Sequence, residues 1–321
     1  MDWLPVTQAL KSADCIHIVA HVTPDADTIG SQLALFHALK SLGKHVVMHN
    51  MDPAPRICQY LQGSEYISHG ASIDGLKDAD VVVAVDAGSL GRLGFDAAYF
   101  SDKTLINIDH HASNTMYGNI NLIDARYCAT GAMIYDLLQC MNIALSAESA
   151  AAIYAAVLTD TTSFRLSTVT ADVHRMVADL MDAGADVGLA ATSIYQSHRK
   201  GRFDILQLCL KGMEICDDGH SAWLWVEQDW YAQTDTQAED TEGFIDYARS
   251  IEGVEVAAFL RADGEHVWKL SLRGQAPYHV GKLAAALGGG GHQYAAGVTL
   301  LGTRDEVTEK VKRAVTELFN S

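Results

Sequence analysis

The sequence predicts an α/β protein, in which an N-terminal domain with a doubly wound, mainly parallel sheet precedes a smaller α+β domain. The first observation behind this prediction is a set of nearly continuous apolar runs at residues 16–20, 81–85 and 105–108. Such runs are typical of parallel strands that helices cover on both faces. The second observation is the helical periodicity between these runs. The third is a change of pattern beyond residue 212, where a hairpin signal appears.

The first part of the chain alternates predicted strands and helices. Residues 28–42 carry apolar side chains at helical spacing and end at Gly43, and a strand over 45–48 follows, which completes a βαβ unit. The further helices of this part are expected at residues 129–141, 147–158 and 171–183, with a short one near 56–61.

The second part of the chain has a different predicted order. Two apolar segments flank an Asp263-Gly264 turn, which is a strong hairpin signal. The predicted elements are strands at 222–226, 254–260, 266–272 and 296–300, a helix at 280–287, a four-glycine run and a final helix from Asp305. We therefore place a first domain at residues 1–185, a helical connector at 186–212 and a second domain at 213–321.

Composition restricts the class of partner. The formal net charge of −17 disfavours a protein that coats long nucleic acid, because a polyanion would be repelled over most of the surface. It permits a short phosphorylated ligand in a local cationic cleft. The densest basic cluster, residues 198–202, lies in the predicted connector.

Composition also suggests a compartment. No apolar stretch approaches the length needed to span a membrane, and no signal peptide is evident at the start. The six cysteines form no C-x-x-C pair, which suits reduced thiols. We expect a cytoplasmic protein without a membrane partner.

Acids and imidazoles follow three of the predicted strands. Because the carboxyl ends of parallel strands meet at one edge of a sheet, we expect these side chains to lie close together. The candidate ligands are His21, Asp25, Asp27, Asp86, His110 and Asp160. Mixed nitrogen and oxygen donors suit Mn²⁺, Fe²⁺, Co²⁺ or Zn²⁺ better than Mg²⁺ or Ca²⁺.

The number of carboxylates exceeds what one ion needs, so we predict two divalent ions bridged by a carboxylate. Asp86 stands alone at its strand end and is the natural bridge. Taken singly, Asp25 or Asp27 could equally cap a turn. The set as a whole favours metal binding, because all its members lie at the ends of strands or helices around one predicted sheet.

These residues resemble the four motifs of the DHH phosphoesterase superfamily. The motifs are His21-x-x-Pro24-Asp25-x-Asp27, the isolated Asp86, Asp109-His110-His111 and Thr159-Asp160-Thr161. Ser271-Leu272-Arg273 and the run Gly288–His292 resemble the associated DHHA1 domain. Size and domain order are most similar to the bacterial nanoRNase type. One departure is Ala132, which stands where relatives commonly carry glutamate.

The resemblance implies a role for each of these residues. It assigns His21, Asp25 and Asp86 to one metal ion. It assigns Asp27, Asp86, His110 and Asp160 to a second, with Mn²⁺ as the usual metal. Asp109 would orient a histidine through a hydrogen bond. His111 would face the substrate, where it would stabilise the phosphoryl oxygen or protonate the leaving oxygen, although a purely structural role stays open.

The glycine run also has two interpretations. Such runs are often flexible linkers. Backbone N–H groups of glycines can also approach a phosphate closely. With the resemblance, we favour a substrate-binding group formed by Gly289, Gly290, Gly291, His292 and Arg273. Arg165 and Arg92 are further candidates, for which a solvated surface role is at least as plausible.

The resemblance implies a hydrolase with its cleft between the two domains. It would convert short oligoribonucleotides (nanoRNA) to 5′-mononucleotides, and pAp (3′-phosphoadenosine 5′-phosphate) to AMP and phosphate. A phosphodiesterase acting on c-di-AMP or pApA is one alternative, and a family II pyrophosphatase is another. A nucleotide-binding sensor without catalysis is a third. The apolar helices would also allow a homodimer.

Overall fold

A computed structural model describes residues 1–73, 78–216, 219–291 and 293–320. The chain divides into two compact units, Met1–Ser197 and His198–Ser321. Each unit contains a six-stranded sheet. No helix of the described ranges is long and apolar enough to cross a membrane.

The sheet of the first unit is parallel throughout, with the strand order β3-β2-β1-β4-β5-β6. Its strands are β1 (Cys15–Ala20), β2 (His45–Asn50), β3 (Ile67–His69), β4 (Val81–Val85), β5 (Thr104–Asp109) and β6 (Ile120–Ile123). This confirms the predicted doubly wound sheet. The order reverses between β1 and β4, and in such sheets ligands bind beyond the carboxyl ends of the strands at that point.

Six α-helices lie in the described part of this unit. They are α1 (Leu4–Ser12), α2 (Ala26–Ser41), α3 (Thr130–Cys140), α4 (Ala147–Asp160), α5 (Ala171–Asp182) and α6 (Val187–Tyr195). The short helix predicted near 56–61 is a single 3₁₀ turn over Arg56–Cys58. Helix α4 extends two residues beyond its predicted end, and this extension puts Asp160 on its last turn.

Both faces of the parallel sheet are buried, which explains its continuous apolar strands. Ile18, Val83 and Ile106 lie in the core that includes α2, α3 and α4. Val19 and Val82 face a smaller apolar cluster on the opposite side. Helices α2 and α4 pack unusually closely at Gly30. A Cβ at this position would lie only 2.3 Å from the carbonyl oxygen of Ala152.

The second unit has a mixed sheet in the order β11-β12-β10-β9-β8-β7, in which only the β8–β9 pair is parallel among the described strands. Its strands are β7 (Glu214–Ile215), β8 (Ser221–Val226), β9 (Val256–Ala262), β10 (Val267–Gly274), β11 (Gly290–Gly291) and β12 (Ala295–Leu301). Its helices are α7 (Lys200–Lys211), α8 (Gln228–Thr234), α9 (Ile245–Arg249), α10 (Val280–Ala286) and α11 (Arg304–Phe319). The predicted α+β class and the β9–β10 hairpin are confirmed.

Candidate metal centre

The first unit brings the six candidate ligands together. His21, Asp86 and His110 come directly after β1, β4 and β5, respectively. Asp25 and Asp27 lie at the start of α2, and Asp160 ends α4. The positions of His21, Asp86 and His110 follow from the local sequence, because each of them stands where an apolar strand stops.

The side chains form two groups that share one carboxylate. In the first group, His21 Nε2 lies 3.5 Å from Asp86 Oδ2 and 3.9 Å from Asp25 Oδ2. In the second, His110 Nε2 lies 3.5 Å from Asp160 Oδ2, 3.7 Å from Asp27 Oδ2 and 3.9 Å from Asp86 Oδ1. Asp86 therefore faces each group with a different oxygen atom.

Backbone carbonyls orient both imidazoles. His21 Nδ1 lies 2.7 Å from the carbonyl oxygen of Val22, and His110 Nδ1 lies 3.2 Å from that of Tyr127. A carbonyl oxygen only accepts, so each Nδ1 carries the hydrogen. Each Nε2 faces the acids and would present its lone pair to a bound metal ion, which is the usual arrangement of a metal-binding histidine.

Asp27 is held by the N-terminus of α3. Its Oδ2 accepts from the backbone N–H of Thr130 over 2.8 Å, and its Oδ1 accepts from that of Gly131 over 2.9 Å. The first N–H groups of a helix have no partner within the helix and attract anions. Asp27 is thus a buried carboxylate whose orientation is set by a different helix from its own.

The hydroxyl of Thr28 lies among three acceptors. Thr28 Oγ1 is 2.6 Å from His21 Nε2, 2.7 Å from Asp86 Oδ2 and 3.0 Å from Asp25 Oδ1. One hydroxyl carries one hydrogen and can satisfy only one of them. A bound cation would satisfy the lone pairs of His21, Asp25 and Asp86 that this hydroxyl cannot reach, so the arrangement fits a metal site.

Sequence reasoning missed Thr28. The available signal was the Asp25-x-x-Thr28 spacing, because Asp25 is the N-cap of α2 and accepts from the N–H of Thr28 over 3.0 Å.

The electrostatics also indicate a shortage of positive charge. Burial and the neighbouring Asp86 carboxylate raise the pKa of Asp27 well above its usual range. Burial, together with the charges of Asp25 and Asp86, raises the pKa of Asp160 to about 7. Burial opposes the charged imidazoles, yet nearby carboxylates raise the pKa of both His21 and His110 to about 9. Divalent ions would supply this missing charge.

Asp86 has an unusual backbone conformation. Its φ is +57°, in the left-handed region that residues other than glycine rarely adopt. Its N–H donates to the carbonyl of Ile108 over 2.9 Å, and its Oδ1 accepts from Thr130 Oγ1 over 2.9 Å. Such conformations persist where the surroundings fix them, and they cluster at functional sites.

A hydrogen-bonded chain lies beside the two groups. His111 Nδ1 donates to Asp109 Oδ1 over 2.6 Å, and the fully buried Asp109 accepts from Asn114 Nδ2 at its other oxygen. His111 Nδ1 also lies 3.6 Å from Asp86 Oδ1. Asp109 thus fixes the ring of His111 next to the shared carboxylate.

The remaining candidates differ in their surroundings. Arg165 is exposed, and its Nε donates to the carbonyl of Thr162 over 2.7 Å. The Nη2 atom of Arg92, which is also exposed, lies 3.3 Å from His21 Nδ1. Arg273 lies on β10 of the second unit and donates to the carbonyl of Leu272. His292 lies outside the described residues.

The glycines of the run differ in their surroundings. A Cβ at Gly289 would lie 2.2 Å from the carbonyl oxygen of Gly297, and one at Gly291 would lie 2.5 Å from that of Ala295. A Cβ at Gly290 would meet nothing within 4 Å. Gly289 and Gly291 are therefore required by the close packing of the chain on β12.

Comparisons with known proteins agree with this architecture. Residues 15–159 match the model of the DHH family, N-terminal domain, and residues 225–321 match the DHHA1 domain. The bifunctional oligoribonuclease and PAP phosphatase NrnA of Thermus thermophilus is 33% identical over 315 residues, which cover 97% of this chain and 93% of that protein. The protein of the same name from Bacillus subtilis is 20% identical over 89% of this chain and 90% of its own length.

A solved structure is also similar. The crystal structure of an exopolyphosphatase-related protein from Bacteroides fragilis has a TM-score of 0.89 and 28% identity, covering 98% of this chain and 95% of that one.

Proposed function

Because the chain belongs to the DHH family of phosphoesterases, we propose that it hydrolyses short oligoribonucleotides to 5′-mononucleotides, and pAp to AMP and phosphate. The observation that carries this proposal is the position of Asp86, which faces two separate ligand groups with its two oxygens. The names of the relatives from Thermus thermophilus and Bacillus subtilis give the substrates.

The residues present fit two divalent ions, of which Mn²⁺ is the best candidate. His21, Asp25 and Asp86 would hold one ion, and Asp27, Asp86, His110 and Asp160 would hold the other. Two such ions, when bound, lower the pKa of a water molecule and neutralise charge on the phosphoryl group. The α3 N-terminus keeps Asp27 in place for this role.

In this proposal, water attacks phosphorus and the P–O bond to the nucleoside 3′ oxygen breaks. The leaving oxygen takes a proton, so pAp and water give AMP and inorganic phosphate. His111 is the group placed to give that proton or to stabilise a phosphoryl oxygen, because Asp109 holds its ring beside Asp86. Fixing the ring before substrate binds removes the cost of ordering it during the reaction.

We place the binding of the remainder of the substrate in the second unit, at Arg273 and the glycine run. A guanidinium binds phosphate or carboxylate oxygens through two parallel hydrogen bonds. The net charge of −17 favours such local contacts over the coating of a long strand. One or a few nucleotides are therefore the expected substrate size.

The test is hydrolysis by the purified full-length protein with Mn²⁺, across pAp, RNA of two to five residues, pApA, c-di-AMP and pyrophosphate. We expect phosphate release from pAp and mononucleotide release from the RNAs. Hydrolysis of pyrophosphate alone would overturn the proposal. Binding of pAp without phosphate release would favour a sensor, and preference for c-di-AMP or pApA would favour a cyclic-dinucleotide pathway enzyme.

A further inference from the structure

The shared carboxylate of Asp86 receives one hydroxyl hydrogen bond at each oxygen. Of the two carboxylate oxygens near Thr28 Oγ1, Asp86 Oδ2 at 2.7 Å is nearer than Asp25 Oδ1 at 3.0 Å, so Thr28 donates to Asp86. Thr130 Oγ1 donates to Oδ1 over 2.9 Å. Both threonines are fully buried. A hydrogen bond to a carboxylate is stronger than one between neutral groups, and burial removes competition from water. The two donors together prevent rotation of the carboxylate.

The two hydroxyls bond to different oxygens of Asp86. Oδ2, which Thr28 holds, is the oxygen 3.5 Å from His21 Nε2. Oδ1, which Thr130 holds, is the oxygen 3.9 Å from His110 Nε2. Each threonine is therefore associated with the Asp86 oxygen that faces one ligand group.

The backbone N–H groups of the two threonines also donate to different ligand groups. The N–H of Thr28 donates to Asp25, a member of the first group, and the N–H of Thr130 donates to Asp27, a member of the second. Replacing either threonine by valine keeps these backbone bonds and nearly the same side-chain volume. Thr130→Val then loses the hydroxyl contact with Asp86. Thr28→Val loses the contact with Asp86 and also those with His21 and Asp25, which both belong to the first group.

We infer that Thr28 and Thr130 are positioning residues that orient Asp86 so that each of its oxygens binds a different metal ion. Thr28 sets the affinity for the ion at His21 and Asp25. Thr130 sets the affinity for the ion at Asp27, His110 and Asp160. This inference rests on the two-metal centre of the proposed function. It adds that different threonines set the affinities for the two ions.

The test measures Mn²⁺ binding to the full-length protein, without substrate. Calorimetric titration gives the number and affinity of ions, and anomalous diffraction from crystals soaked at limiting Mn²⁺ gives the occupancy of each position. We expect Thr28→Val to lower the affinity for the ion at His21 and Asp25 about tenfold. Thr130→Val should lower the affinity for the ion at Asp27, His110 and Asp160 about tenfold. A loss of this size is usual when a metal ligand loses a hydrogen bond. Each variant leaves the other ion unchanged.

Conservative and remote variants complete the experiment. Thr28→Ser and Thr130→Ser keep the hydroxyl and should bind both ions as the wild type does. Thr7→Val is the matched control, because among the described residues the hydroxyl of this buried threonine bonds only to the carbonyl of Leu4. If a valine variant does not fold, alanine at the same position takes its place.

The outcomes separate the inference from the proposed function. Equal weakening of both ions by either variant, or no change in either, overturns the inference and leaves a two-metal enzyme intact. A wild type that binds a single ion overturns the two-metal centre, and the inference with it. Failure to hydrolyse pAp or RNA changes the proposed substrates only, because the binding measurement needs no substrate.

Discussion

The backbone N–H of Gly131 donates to Asp27 Oδ1 over 2.9 Å, although 104 residues separate the two in the chain. The contact depends on the missing side chain, because a Cβ at Gly131 would lie 2.5 Å from the Cβ of Ala156. Packing of α3 on α4 and orientation of a metal-ligand candidate are therefore coupled at a single glycine.

We expect Gly131→Ala to lower the free energy of unfolding. The clash with Ala156 should cost about 1–3 kcal/mol, of which the helix propensity of alanine recovers at most roughly 1 kcal/mol. Urea unfolding in EDTA measures the change. Adding Ala156→Gly restores the space and should recover part of the loss. Gly91→Ala, where a Cβ meets nothing within 4 Å, is the control. A Gly131→Ala protein as stable as wild type would contradict this account.

Asp86→Asn should reduce hydrolysis of every substrate by at least about 10²–10³-fold, the effect of removing one major electrostatic contributor. Asparagine tolerates the φ of +57°, so the change removes charge without adding backbone strain. Steady-state rates with saturating Mn²⁺ give the comparison. Asp172→Asn, which alters an exposed ion pair with Arg175, serves as the control. Retained turnover on any one substrate would show that Asp86 is not shared by both ions.

His111→Gln should lower kcat by about 10²–10⁴-fold, the usual contribution of a positioned acid or base, and change KM little. The reason is that His111, held by Asp109, would act on the phosphoryl or leaving oxygen during the reaction. Rates on pAp at fixed Mn²⁺ provide the measurement. His174→Gln, at an exposed position of α5, is the matched control. An increase in KM alone would assign His111 to substrate binding.

Arg273→Ala should raise KM about tenfold or more with a much smaller change in kcat, because a hydrogen bond to a charged group contributes about 1.5–3 kcal/mol. Initial rates over a range of pAp concentrations separate the two constants. Arg261→Ala, on the neighbouring strand β9, tests for a general effect of lost positive charge. Equal loss of turnover with unchanged substrate affinity would contradict a binding role.

Removal of metal with EDTA should abolish hydrolysis and lower the melting temperature, and Mn²⁺ should restore both. A ligand that binds only the folded state raises the free energy of unfolding by about 2.7 kcal/mol when its concentration is a hundred times Kd. Thermal unfolding across a Mn²⁺ titration records this shift. Asp86→Asn protein should gain clearly less stability from Mn²⁺. Equal stabilisation of both proteins would place the ions elsewhere.

Local pattern was sufficient to predict much of the molecule. The apolar strands β1, β4 and β5 are visible as continuous runs because both sheet faces are buried. The acids and imidazoles are visible because they interrupt these runs where each strand stops. The strand that supplies Asp86 and the hairpin of the second unit follow from the same local rules.

Contacts between distant segments were not predictable in this way. Thr130 meets Asp86 across 44 residues, and Gly131 meets Asp27 across 104. Nothing in the neighbouring sequence of either residue marks these contacts, because they arise from how α3 packs beside α2 and α4. The left-handed conformation of Asp86 is equally invisible, since aspartate is not required for it.

The sequence by itself determined the fold class and the kinds of donor atoms at one edge of the parallel sheet, because hydrophobic period and strand ends are properties of neighbouring residues. Only the tertiary structure decided which oxygen of Asp86 faces His21 and which faces His110. It also decided that Thr28 and Thr130 hold those oxygens. The reason is geometric: the direction of a side chain's lone pairs depends on helices that fold against it from elsewhere in the chain.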